Sequence, residues 1–328
     1  MDKVTRAVDD IRRKWVPDTR LGVFQVSLAA ALTGVTSSRE ARDALRRLAR
    51  GAGVRDEVRL LPDAPAGQDA AIVTAALAPL AAEPTASATR VSEGLHGEAL
   101  TILERQGDWL RVRGPDDYIG WISVGYVSIG PADWATDWDG RATARSLGAD
   151  IHTTNGRRRL PTGARVALRR NGTVELADGA RGSVEDGAVR KQAELRVEAR
   201  HLALPELAQK WYGGAPYLWG GRTEWGIDCS GLVQAVYAAR GIALPRDSDQ
   251  QFGEGREVAI TADGKRYEAG DLLFFAEQGR VSHVALWAGA GRVVHSALSR
   301  GGVGSDHLFG DEPRMVRLRQ NLVGVRRL

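Results

Sequence analysis

A single cysteine, Cys229, stands at the head of a strongly patterned helix in a chain of 328 residues. Cys229, Leu232, Val233 and Val236 recur at i, i+3, i+4 and i+7, the spacing of one buried helix face. Asp228 is a good N-cap and Gly241 a good C-terminal stop, so the helix is bounded at both ends. A thiol in the first turn sits at the positive end of the helix dipole, where a thiolate is favoured. In its plainest role a lone cysteine is a small buried hydrophobe. Choosing between the two roles depends on whether the chain supplies a base.

The lone cysteine excludes an internal disulfide framework and any zinc site built on paired cysteines. No His-Glu-x-x-His or comparable ligand cluster occurs, so neither metal nor cofactor is expected. Hydrophobic residues make up 43% and charged residues 26% of the chain, the balance of a globular protein rather than a disordered one. Met1 to Trp15 is charged, and Val23 to Val35 is apolar but short and interrupted. Neither reads as a signal peptide or membrane span, which predicts a cytoplasmic protein without a membrane partner. The isoelectric point is about 9.4, yet the formal charge is only +4. Arg157-Arg158-Arg159 and Arg169-Arg170 flank a hairpin turn at Asn171-Gly172. No aromatic residues interleave with them to stack bases, so they read as solvated charge and not as a nucleic-acid surface.

Four segments are legible in order. Residues 1–65 read as a small α/β unit of unknown role: Gly22 to Leu28 alternates as a strand, and Ser37/Ser38 to Arg50 follows a helical period up to Gly51 or Gly53. Val54 to Leu61 then returns to strand, and Pro62–Gly67 is a linker. Residues 66–130 change to short strands, with Gly107-Asp108-Trp109-Leu110-Arg111-Val112 and Tyr118-Ile119-Gly120-Trp121-Ile122 as strand, turn, strand. This run resembles bacterial SH3-like barrels. A weaker second copy is placed at 131–196, with strands at Gly163–Leu168, Thr173–Leu176 and Gly182–Val184. Residues 197–328 mix elements: helices at Leu204–Tyr212, at Cys229 onward and, briefly, at Ser248–Phe252. Strands follow at Asp271–Phe275, His283–Ala288, Arg292–Ser296 and Met315–Leu318. Helices followed by a meander indicate an α+β domain.

A cysteine nucleophile needs a base and a group that orients the base. Of the six histidines, His283 and His295 flank the turn Ala288-Gly289-Ala290-Gly291. With an odd loop centred near Gly289 they stand directly opposite each other, Cβ atoms roughly 4.5–5.5 Å apart. An even loop puts them on opposite faces and breaks the pairing. A three-residue loop ending in a bulge favours the odd case. One imidazole then accepts the thiol proton while the other fixes its tautomer.

These pieces, taken with Tyr217-Leu218-Trp219-Gly220-Gly221, Asp228-Cys229-Ser230-Gly231-Leu232, Arg246-Asp247-Ser248-Asp249-Gln250-Gln251, His283-Val284 and His295-Ser296, resemble the NlpC-type papain-like peptidases that cut bacterial cell-wall peptides. With SH3-like domains ahead of the peptidase, the resemblance extends over about 70–328. It points to the γ-D-glutamyl-L-diamino acid endopeptidases, of dipeptidyl-peptidase VI type. Together with the N-terminal α/β unit read above, the resemblance implies a multidomain protein with two SH3-like β-barrels and a C-terminal α+β papain-like domain. It implies Cys229 as nucleophile, His283 as base and His295 as the orienting residue, with a lowered thiol pKa. The oxyanion would be held by the Cys229 N–H and the Tyr217 hydroxyl. Trp219, Asp228, Ser230, Asp247 and Ser248 would line the dipeptide pocket, and Glu83 and Tyr118 would close it. The implied partner is a murein peptide with a free L-Ala amine, cut between γ-D-Glu and diaminopimelate or Lys. Two other classes compete: a murein-peptide-binding protein with a degenerate peptidase domain, and a papain-fold amidase or acyltransferase.

Overall fold

The computed structural model describes residues 3–328. They form two compact units, each assembled from separate stretches of chain. The first holds the residues up to Val73 together with Leu80–Thr89 and Glu98–Asp139; the second holds Thr74–Pro79, Arg90–Gly97 and Gly140–Leu328. No helix among the described residues is long and apolar enough to cross a membrane.

In the first unit, the charged N-terminal stretch is a helix, Lys3–Trp15, with Val8 as its buried side chain. The apolar stretch after it folds into a hairpin, Phe24–Leu28 against Ala31–Thr36, and Arg55–Leu60 joins parallel to the second strand. A parallel pair needs a crossover, and the helix Arg39–Ala52 supplies it. Ser38 Oγ accepts from the Ala41 N–H at 3.1 Å to start that helix, and Gly53, at φ 66°, ends it. Farther on, the strands Val127–Gly130, Ala70–Val73, Ala99–Gln106, Trp109–Arg113 and Ile119–Ser123 lie side by side in that order. Trp121 is buried there, and the Arg111 guanidinium lies 4.5 Å above its ring.

The second unit contains a five-stranded sheet that closes on itself. Its longest members, Ala144–Thr153 and Arg181–Lys191, pair with each other, and Arg165–Leu168 and Val174–Glu175 complete the circuit. The Asn171-Gly172 turn is formed, with the Arg169 N–H donating to the Thr173 carbonyl at 2.9 Å. Arg157, Arg158 and Arg169 of the basic runs pair locally with Asp150, Asp178 and Glu175.

The same unit ends in a six-stranded antiparallel sheet. Its spatial order is Arg256–Val258, Leu322–Arg327, Leu272–Glu277, Arg280–Gly289, Arg292–Ala297 and Gly302–His307. Both faces are covered, so the central strands read as unbroken apolar runs. Leu272, Phe274, Val284, Leu286 and Val294 pack against the helices Leu204–Tyr212 and Cys229–Ala239. Leu273, Phe275, Ala285, Trp287, Val293 and Val325 form a second core on the other side. One expected element is different: Met315–Leu318 belongs to a helix, Pro313–Gln320, and the strand begins at Leu322. Pro313 fixes helical φ in the first turn, and Met315 is that helix's one buried residue, so a short run of three apolar residues broken by Arg317 imitated strand alternation.

Candidate active site

The cysteine helix spans Cys229–Ala239, and Cys229, Leu232, Val233 and Val236 are all buried, as the spacing predicts. Asp228 caps it, accepting the Gly231 N–H at 2.7 Å. The carboxylate does much more than cap. Its other oxygen accepts the Gly220 N–H at 2.9 Å, and Arg246 lies across both oxygens at 3.0 and 2.7 Å. Arg246 is 1% exposed, and it also reaches Ser230 Oγ, Ser92 Oγ and the Gly221 carbonyl. Together these bonds join the helix start to the loop that carries Trp219. Gly220 is required in that loop: its φ is +75°, and a Cβ would come within 2.9 Å of Arg90 Cγ. On the far side of the loop, buried Glu93 accepts the Arg222 N–H at 2.9 Å.

The histidine hairpin differs from its expected register. The turn is Ala290-Gly291, with φ of 48° and 74°, a two-residue turn of type I′ backbone sense. Alone, this even loop would put His283 and His295 on opposite faces of the sheet. A bulge between Trp287 and Gly289 takes up one residue and restores a common face. Leu286 then faces Val294, so the histidines are diagonal neighbours and not directly opposed. The diagonal is short enough for the rings to meet: His283 Nε2 lies 2.8 Å from His295 Nδ1, with ring centroids 5.0 Å apart. Ser296 Oγ donates to the Ile227 carbonyl at 2.6 Å, tying this strand to the residues just before Cys229.

The thiol is buried and lies against the backbone N–H of Val284, the residue after His283. Burial, with Asp228 adding to it, pushes the Cys229 thiol up to about 12. Crowding by protein, reinforced by His295, pulls His283 down to about 3. Both shifts run against the expected lowering of the thiol pKa and favour a neutral thiol beside a neutral imidazole, with proton transfer accompanying attack. The sign gives a prediction: the base form of His283 persists far below the ordinary imidazole range. The kcat/KM profile should accordingly be flat across roughly pH 5–8, where histidine ordinarily titrates. A preformed thiolate–imidazolium pair would instead produce a limb in that window, and measuring the profile separates the two.

Tyr217 is half-buried, and burial, with the Cys229 thiol adding to it, pushes its phenol up, so it stays a neutral O–H donor. Trp219 is 62% exposed. Asp247 caps the short helix Ser248–Gln251, its own N–H donating to Gln250 Oε1 at 3.1 Å. Gln251 turns inward to the Ser230 and Pro245 carbonyls. Ser248 is buried, as are Asp228 and Ser230. Glu83 and Tyr118 belong to the first unit; Glu83 is exposed, and Tyr118 is buried with its N–H on Asp116. Two residues at the centre had no role assigned in advance. Arg246 stood in a motif without a partner, and Asp306, whose Oδ2 lies 3.0 Å from His295 Nε2, stood in a strand that was not foreseen. Alternation across Gly302–His307 was the available signal, weakened by its glycines.

Comparison with known proteins finds similarity along two stretches of the chain. Residues 214–320 match the NlpC/P60 family, and residues 80–125 match the bacterial dipeptidyl-peptidase SH3 domain. A gamma-D-glutamyl-L-lysine dipeptidyl-peptidase of Bacillus cereus is 26% identical over 241 residues, which is 62% of this chain and 66% of that protein. Dipeptidyl-peptidase 6 of Lysinibacillus sphaericus is 29% identical over 263 residues, 74% of this chain and 93% of that one. The crystal structure of an NlpC/P60 family protein from Bacillus cereus shares the fold, with a TM-score of 0.64 at 21% identity, over 79% of this chain and 99% of that chain.

Proposed function

We propose that this NlpC/P60 cysteine peptidase, which carries a bacterial dipeptidyl-peptidase SH3 domain, hydrolyses murein peptides between γ-D-Glu and the diamino acid, releasing L-Ala-γ-D-Glu. The observation that carries the reading is Cys229 at a helix start, its thiol on the backbone N–H of Val284, beside a His283 whose ring is hydrogen-bonded to His295. Cys229 attacks the γ-carbonyl as His283 takes the thiol proton, and the tetrahedral oxyanion is held by the Cys229 N–H with the Tyr217 hydroxyl. The proton returns to the departing amine of the diamino acid. Water then releases the acyl group from the thioester, with His283 again as base. Among the pocket residues, Asp228 and Ser230 are engaged by Arg246 and support the site from beneath. Trp219, exposed, and Asp247, half-exposed, are the members that a peptide reaches first. The name of the Bacillus cereus relative, a gamma-D-glutamyl-L-lysine dipeptidyl-peptidase, supports this substrate class. The closed sheet at 144–191 is read as a second SH3-like barrel of the same assembly.

Mass spectrometry of L-Ala-γ-D-Glu-L-Lys and its diaminopimelate counterpart tests the reading. The dipeptide L-Ala-γ-D-Glu and the free diamino acid are the expected products. Transfer to an added amine would instead indicate an acyltransferase. Acetylating the L-Ala amine removes a charged hydrogen-bonding group and should slow turnover roughly 10–100-fold. Equal rates on free and acetylated peptide would refute a requirement for the amine.

A further inference from the structure

We infer that Asp306 is a positioning residue of this site: through His295 it fixes the tautomer of His283 and leaves Nδ1 of His283 as the free base. The inference rests on the reading of Cys229, His283 and His295 as the reacting set. The chain of contacts runs from a carboxylate inward. Asp306 is 6% exposed, and its two oxygens are divided between different partners. Oδ1 takes Arg300 Nη1 at 2.5 Å and Arg314 Nη2 at 3.0 Å, while Oδ2 meets His295 Nε2 at 3.0 Å. The hydrogen bond from His295, with Arg300 next in strength, holds the Asp306 carboxyl below its ordinary range, so it is an acceptor only. His295 must therefore carry its proton on Nε2. A neutral imidazole protonated there has a bare Nδ1, and that atom is 2.8 Å from His283 Nε2. His283 then donates from Nε2, and its lone pair is left on Nδ1. Reversing any one of these protons would place a hydrogen on His283 Nδ1 and remove the base.

The surroundings are shaped to keep this carboxylate in place. Gly304 is directly across from His295 in the adjoining strand. A Cβ on Gly304 would fall 2.0 Å from Arg300 Nε, so the guanidinium occupies the space that glycine leaves open on its way to Asp306. Two cations on Oδ1 also lower the basicity of the carboxylate, which keeps the proton on His295 and not on Asp306. The charged groups facing the pair are Asp306, Arg300 and Arg314, with Glu312 bonded in turn to Arg314.

The test combines nitrogen-15 NMR of histidine-labelled full-length protein with kinetics on L-Ala-γ-D-Glu-L-Lys. In the unaltered protein, His295 should be protonated on Nε2 and bare on Nδ1, and His283 likewise; a proton on His283 Nδ1 overturns the inference without any variant. Asp306→Asn should mix the tautomers of both rings and lower kcat about 10–100-fold, with KM changed less than about twofold, as for other outer partners of a functional imidazole. A folded Asp306→Asn protein with unaltered kcat and unaltered tautomers also overturns it. If the variant fails to fold, the spectrum of the unaltered protein decides. Expected tautomers in a protein that leaves the peptide intact support the positioning role and count against the proposed substrate, so the two failures are distinguishable.

Discussion

Cys229→Ala is expected to reduce turnover of the γ-D-Glu–diamino acid bond to background, a loss on the order of 10⁶-fold, the scale seen when a covalent nucleophile is removed. Folding should change little. The side chain loses one sulfur, whose removal from a buried helix face costs about 1 kcal/mol. The cap and its ties to Gly220, Gly231 and Arg246 do not involve the thiol. The variant should thus unfold within a few degrees of the parent and still bind peptide. Its Michaelis complex should accumulate, and no acyl-enzyme mass should be seen when it is mixed with substrate. The parent protein should show that adduct on rapid quenching. Turnover retained in Cys229→Ala would sink covalent catalysis here and return the lone cysteine to the role of a core residue.

Much of this site was legible because its parts are local. The cysteine helix announces itself by period and cap, both properties of a dozen consecutive residues. The closeness of His283 and His295 was also visible, since both flank one short turn. Their register was not, because it depends on two compensating features. The two-residue turn at Ala290-Gly291 would have separated the rings, and the bulge next to it reverses the separation. Sequence spacing reports the sum of these and conceals each one. Arg246 and Asp306 were hidden for a different reason. A charged residue in a sequence is read as exposed unless its partners are known. The partners of Arg246 lie at Ser92, Gly221, Asp228 and Ser230, and those of Asp306 at His295, Arg300 and Arg314. Only the completed fold brings them together. The helix at Pro313–Gln320 shows the opposite failure, in which three apolar residues, Met315, Val316 and Leu318, were over-read as a strand although a proline at the helix start marked the alternative.

Arg246→Met is expected to give the largest loss of stability among single changes in the site, about 3–5 kcal/mol, the usual cost of stripping one partner from a buried ion pair. Arg246 is 1% exposed and Asp228 7% exposed, so water cannot replace the guanidinium without opening the core. With the cation gone, Asp228 would retain only the Gly220 and Gly231 N–H groups and the Ser230 hydroxyl. Against a total stability of about 5–15 kcal/mol this is enough to populate unfolded protein at growth temperatures. Arg246→Lys should recover only part, because a point charge cannot span both oxygens of Asp228 and also reach Ser92 and Gly221. The discriminating measurement is a double-mutant cycle in chemical denaturation. Asp228→Asn combined with Arg246→Met removes the stranded charge, so the pair should be less destabilised than the sum of the two single changes, by an interaction of 0.5–3 kcal/mol on the order found for contacting groups. Additive losses would mean that Arg246 acts by filling space rather than by neutralising Asp228. A favourable coupling would establish that the carboxylate next to the nucleophile is held by a buried cation, which leaves it capping the helix and joining it to the Trp219 loop while its negative charge is offset beside the thiol.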